Sequence, residues 1–112
     1  MTVTITIPTA ASGAKAIDVA WRCVREGGAI ALAHFRGDRT VDVKGRGNVV
    51  TDADVAVELA IKAILQSEFP DHAILSEETS ADTDPSAGWV WVIDPIDGTK
   101  NYSMGIPVWC VN

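Results

Sequence analysis

The sequence predicts a layered fold of α and β elements, with helices packed on a mixed sheet. Three observations predict it. Residues 14–35 and 51–69 repeat apolar side chains at helical spacing, short apolar runs at 73–75, 89–93 and 106–111 are bounded by turn residues, and the elements alternate helix, strand, helix, strand, strand. The chain has 112 residues, with no internal repeat and no linker between two units, so 1–112 reads as a single domain.

Taken in order, Thr2 to Ile7 alternates Thr with Val or Ile, which reads as a short edge strand or, over residues 1–12, as an extended arm ended by Pro8. From Ala14 to Phe35 the apolar positions Ile17, Ala20, Trp21, Val24, Ala31, Leu32 and Phe35 describe a long amphipathic helix. Gly27-Gly28 either lets a neighbour pack closely or breaks that helix in two. Thr40 to Lys44 is a short strand followed by the loop Gly45-Arg46-Gly47-Asn48. A second helix then starts near Thr51, which with Asp54 has the form of a capping box, and its face carries Val57, Ile61, Ile64 and Leu65 as far as Phe69-Pro70. Ala73 to Leu75 is a short strand ending at Ser76-Glu77-Glu78, and Thr79 to Gly88 is a polar surface loop. Its Asp82 and Asp84 suggest a calcium loop, but Ala87 stands where such a loop needs glycine. Trp89 to Ile93 reads as a buried strand and Ile106 to Val111 as another, with a helical turn at Asn101 to Met104 between them.

Composition narrows the function classes. Hydrophobic residues make up 47% and charged residues 21%, which is globular and not disordered. A formal charge of −6 argues against a nucleic-acid backbone or an anionic membrane as partner. No run approaches the roughly 18 apolar residues of a membrane span, and the N-terminus lacks the basic and apolar regions of a signal peptide, so a cytoplasmic location is expected. Cys23 and Cys110 stand far apart in apolar runs and read as buried, reduced thiols.

The chemistry concentrates in Trp89 to Tyr102, where an apolar strand runs into Asp94-Pro95-Ile96-Asp97-Gly98-Thr99. Asp94 and Asp97 converge across a turn opened by Pro95 and closed by Gly98. Two unit charges ~4 Å apart repel by roughly 4 kcal/mol at an effective dielectric of 20. A third acid would bring the three pairs to about 12 kcal/mol, comparable with the roughly 5–15 kcal/mol stability of a whole domain. Glu77, and with it Glu78, can supply that acid if the strands ending at residues 75 and 93 are parallel neighbours, because ligands gather at the ends of parallel strands. A hard divalent cation neutralises such a cluster better than a proton does. The plainer reading is an Asx-type turn in which Asp94 caps backbone amides, with Asp52 and Asp54 serving only as helix-start acids.

The run Asp94-Pro95-Ile96-Asp97-Gly98-Thr99 with Asn101-Tyr102, the upstream Ser76-Glu77-Glu78, and Val50-Thr51 with Asp54 together resemble the inositol monophosphatase family of Mg²⁺-dependent, lithium-sensitive phosphatases. Its superfamily also holds fructose-1,6-bisphosphatases, nucleotide 3′-phosphatases and histidinol-phosphate phosphatases. The resemblance implies a layered α-β-α sugar-phosphatase fold and hydrolysis of a small polyol or sugar phosphate by metal-activated water. It also implies two or three Mg²⁺ ions and a homodimer. Glu77, Asp94 and the carbonyl of Ile96 would hold one ion, and Asp94 with Asp97 a second. Asp54 and Thr99 would position and activate the water, with Glu77 joining them in catalysis, and the amides of Gly98 and Thr99 would receive the phosphate. Glu78 would stand behind the ligands or in solvent, Lys44 near the site or simply exposed, and Lys100 and Tyr102 near the substrate.

Two departures stand out. Ser76 replaces the family's usual glycine before the acid pair, and the family's later Trp-Asp motif, which supplies a further metal ligand, has no counterpart in these 112 residues. The resemblance therefore covers the N-terminal half of the family fold, and a fragment is expected. Its unpaired strand edge at Val108 to Val111 gives it a route to self-association. Two other readings compete with an active phosphatase. One is a catalytically inactive metal-binding fragment acting only through association. The other is a haloacid-dehalogenase-type phosphatase with an aspartate nucleophile, which the D-x-x-D spacing disfavours.

Overall fold

The computed structural model describes residues 5–37, 46–76, 88–107 and 109–112. The expected strand at 40–44 with Lys44, the Glu77-Glu78 pair and the loop at 79–87 lie outside them. Residues 5–8 carry no strand. The chain next folds back: Thr9 bridges Lys15, the Ala11 amide donates to the Glu68 carbonyl at 2.8 Å, and Ser12 Oγ donates to Glu68 Oε2 at 2.7 Å. Buried Ala10 lies inside this tether.

Helix α1, Ala16–Gly37, is unbroken. Its buried stripe is Val19, Cys23, Ala31 and Phe35, whereas Ile17, Trp21 and Leu32 from the expected face are exposed. The helix offers two apolar stripes, and small side chains decide which of them packs. A Cβ added at Gly27 would sit 3.0 Å from Val57 Cγ1 and 3.1 Å from Ile61 Cδ1, while one at Gly28 would meet nothing within 4 Å. Gly27 is thus the close-approach position, and Gly28 faces open space.

Helix α2, Arg46–Glu68, packs against α1 through Ala53, Val57, Ile61, Ile64 and Leu65. Burying each of the larger apolar side chains contributes roughly 1.5–3 kcal/mol. The expected loop at 45–48 and helix start at Thr51 are corrected here. The helix already runs through residues 46–50, because extending an existing helix upstream gains a hydrogen bond per residue without a new nucleus. Thr51 and Asp54 are therefore interior positions of the helix and not its start.

After Pro70 the strands β1, Ala73–Ser76, and β2, Val90–Ile93, pair in parallel, with Ala73 opposite Val90 and Ser76 opposite Ile93. The expected fully buried second strand is half right. Ile93 is buried, yet Val92 is 70% exposed and Leu75 and Val90 share its open side, because among the described residues helices cover only one face of the pair. Trp91 Nε1 donates to His72 Nδ1 at 3.0 Å, and Phe69 stacks on the His72 ring at 4.7 Å, which joins the end of α2 to the sheet. The helical turn expected at 101–104 is present as the short helix α3, Thr99–Ser103, which starts two residues earlier. The strand expected at 106–111 does not form as such. Its described part pairs only around Cys110 and Asn112, and Pro107 has no amide to give to a ladder. Cys23 is buried as expected, but Cys110 is exposed; both are free thiols, and burial pushes the Cys23 thiol up.

Candidate functional site

The parallel register fixes the frame of the site. Ser76 and Ile93 are opposite partners, so the two strands end level. On β2 the next residue is Asp94; on β1 the next in sequence is Glu77, which lies outside the described residues. Ser76, the departure from the family's glycine, is 2% exposed and fits within the strand end.

The two aspartates are held by a β-bulge and not by the turn expected from Pro95 and Gly98. Asp94 exchanges both backbone hydrogen bonds with Asn112, at 2.7 and 2.9 Å, and Asp97 exchanges both with Cys110, at 2.8 and 3.0 Å. Between these pairs one strand has Pro95 and Ile96 and the other has only Val111, which is the two-against-one count of a bulge. The consequence is decisive for the side chains. In a regular strand residues three apart point to opposite faces, whereas here Asp94 and Asp97 stand opposite Asn112 and Cys110, two residues apart on one face. The bulge thus brings both carboxylates to the same side and turns Ile96 into the core, at 3% exposure. Proline suits the extra position because no ladder bond is asked of its nitrogen.

Two side-chain contacts complete this face. Asn112 Nδ2 donates to Asp97 Oδ2 at 3.0 Å and reaches Cys110 Sγ at 3.6 Å. Nothing in the apolar run before Asn112 marks the residue as functional; the only signal is a lone amide side chain two positions after Cys110.

Gly98 then takes a left-handed conformation, φ 93° and ψ 34°, at the start of α3. A side chain there would be strained by about 1–2 kcal/mol. The turn aims Tyr102 inward, where its hydroxyl donates to the Ala31 carbonyl at 2.9 Å and its ring lies 5.3 Å from Phe35 and 5.1 Å from Trp109. Burial, with the Asp54 carboxylate adding to it, pushes the Tyr102 hydroxyl up to about 12. Half-buried Asp54 is therefore close enough to act on the α3 turn, which packs against α2. Asp94, the Ile96 backbone, Asp97, Gly98 and α3 thus follow one another directly beyond the end of β2, and Asp54 lies on α2, which packs against α3. Lys100 is exposed, and Tyr102 is buried in the core.

Among the described residues no three His, Cys, Asp or Glu side chains form a metal cluster. The donors that are gathered, two carboxylates on one face of a bulge with a backbone carbonyl between them, are all hard oxygens. That donor chemistry fits Mg²⁺ and leaves room for ligands from elsewhere.

The described residues form an α/β scaffold in which two packed helices back a parallel strand pair that runs into the acidic bulge. The profile of the inositol monophosphatase family matches residues 14–112. An inositol-1-monophosphatase from Synechocystis sp. is 36% identical over 97 residues, which is 86% of this chain and 34% of that protein. The Nus factor SuhB of Haemophilus influenzae is 32% identical over 98 residues, 86% of this chain and 37% of that one. The crystal structure of inositol monophosphatase II from Staphylococcus aureus superposes with a TM-score of 0.72 at 29% identity, over 85% of this chain and 35% of that one. The chain belongs to the inositol monophosphatase family, and it spans about a third of the length of the curated relatives it matches.

Proposed function

We propose that this chain carries the metal-binding and water-activating part of a Mg²⁺-dependent phosphomonoesterase acting on a small polyol or sugar phosphate. The observation that carries the reading is the bulge, which puts Asp94 and Asp97 on one face directly beyond the paired strand ends. Asp94, Asp97 and the Ile96 carbonyl, with Glu77, would hold the Mg²⁺. Bound there, the ions supply charge neutralisation and lower the pKa of a coordinated water. The residues of this chain do the rest. Asp54 and Thr99 orient the attacking water and accept its proton, while the amides of Gly98 and Thr99 hold the phosphate oxygens in line for displacement of the alcohol. The net charge of −6 favours a small metabolite over a nucleic-acid backbone as direct partner, although one relative is a Nus factor.

Calorimetric titration with Mg²⁺, paired with phosphate release from a panel of sugar and polyol phosphates, tests the proposal. Wild type is expected to bind Mg²⁺ and Asp94→Asn to lose binding. Release that persists without metal, or a phospho-aspartate trapped at Asp94, overturns it. A second reading follows from the chain's spanning only about a third of its relatives: the unit binds Mg²⁺ without turnover and works only in association with further polypeptide. Mg²⁺ binding with no phosphate release from any ester is its expected signature.

A further inference from the structure

We infer that Asn112 is a positioning residue for the acidic pair, a role that rests on reading Asp94 and Asp97 as metal ligands. Asn112 is tied to both acids at once. Its backbone amide and carbonyl make the two bonds to Asp94, and its side-chain amide donates to Asp97 Oδ2 at 3.0 Å. An ionised carboxylate only accepts, so the NH₂ and not the carbonyl end of Asn112 must face Asp97. The second hydrogen of that NH₂ points toward Cys110 Sγ at 3.6 Å, which fixes the amide plane from the other side. Held this way, Asp97 has one oxygen occupied and the other presented on the face it shares with Asp94. A carboxylate on an exposed loop would otherwise rotate freely, and a cation would have to order it on binding. Partners behind a metal ligand typically contribute 10–100-fold in metal affinity.

The experiment uses the full chain with Mg²⁺ as the probe. Asn112→Leu keeps the shape of the side chain without the donor, Asn112→Ala removes it, and Cys110→Ala leaves the bond to Asp97 in place. The backbone pairing with Asp94 needs no side chain, so thermal unfolding is expected to be unchanged in all three. Mg²⁺ affinity measured by calorimetry is expected to fall about 10-fold or more in the Leu and Ala variants and to fall less in Cys110→Ala, which removes only the longer of the two contacts on the amide. Unaltered affinity in Asn112→Leu and Asn112→Ala, with Asp97→Asn still abolishing binding, overturns the role of Asn112 and leaves the proposed function standing. No Mg²⁺ binding by wild type, or none lost in Asp97→Asn, overturns both. Unfolding of both Asn112 variants overturns the positioning role in favour of a purely structural one.

Discussion

Tyr102 is the only tyrosine in the chain, so its ionisation can be followed without ambiguity. Its ring is 3% exposed, its hydroxyl donates to the Ala31 carbonyl, and Asp54 places negative charge nearby. Burial first, and the Asp54 charge after it, favour the neutral phenol and push its pKa up to about 12, against 10.0 for an unperturbed tyrosine. An acid whose folded pKa is raised contributes stability that is fully present below its unfolded pKa. That contribution drains away as pH climbs from about 10 through about 12. Each pKa unit is worth about 1.4 kcal/mol, so the loss is at most about 3 kcal/mol. Urea unfolding at about pH 9 and about pH 11.5, for wild type and Tyr102→Phe, gives the difference directly, and tyrosinate absorbance gives the midpoint. The phenylalanine variant lacks the hydroxyl's bond, which lowers its stability at the lower pH by about 1 kcal/mol, but it is expected to shed less with alkali. Native-state ionisation near 10, or equal alkaline losses in both proteins, refutes the argument.

Gly27→Ala and Gly28→Ala form a matched pair. Both gain up to about 1 kcal/mol of helix propensity, which Gly28→Ala is expected to keep, while Gly27→Ala must push Val57 and Ile61 aside and is expected to end about 1–3 kcal/mol below it in urea unfolding. Equal stabilities would show that α1 and α2 do not meet at Gly27. Glu58 is 2% exposed and its Oε1 has no hydrogen-bond partner among the described residues. Glu58→Met is therefore expected to match or exceed wild-type stability, by up to about 1–2 kcal/mol, and a loss larger than about 2 kcal/mol would reveal a donor that holds the carboxylate.

The sequence showed which acids lie close along the chain but not their geometry. Parallel pairing of the two strands was only the condition under which their terminal acids could meet, and the register of Ser76 with Ile93 meets it. The bulge was not legible. Read along one strand, Asp94-Pro95-Ile96-Asp97-Gly98 is a turn; only the partner residues Cys110 and Asn112, from a segment read as a strand in its own right, convert it to a two-against-one pairing. The same limit applies to α1. Helical spacing correctly put Ala31 and Phe35 in the core but also assigned Ile17, Trp21 and Leu32 to it, whereas close packing at Gly27 buries Val19 and Cys23 and leaves Trp21 55% exposed. Likewise Thr51 and Asp54 satisfy a local capping rule, but helix starts depend on what precedes them, and α2 was already under way at Arg46.

The aromatic packing explains how a helix that carries none of the acids governs their placement. Phe35, on α1, lies 5.3 Å from Tyr102 and 5.5 Å from Trp109, and those two rings meet edge to face at 5.1 Å. Tyr102 is five residues beyond Asp97, on the α3 turn that follows one limb of the bulge, and Trp109 directly precedes Cys110 on the other. Both limbs of the pairing are therefore anchored to the same point on α1, with the Tyr102 hydroxyl bonded to the Ala31 carbonyl as a third tie. Clamping both limbs from behind leaves the backbone at Asp94 and Asp97 one arrangement, set by ring packing on α1 and not by the acids themselves.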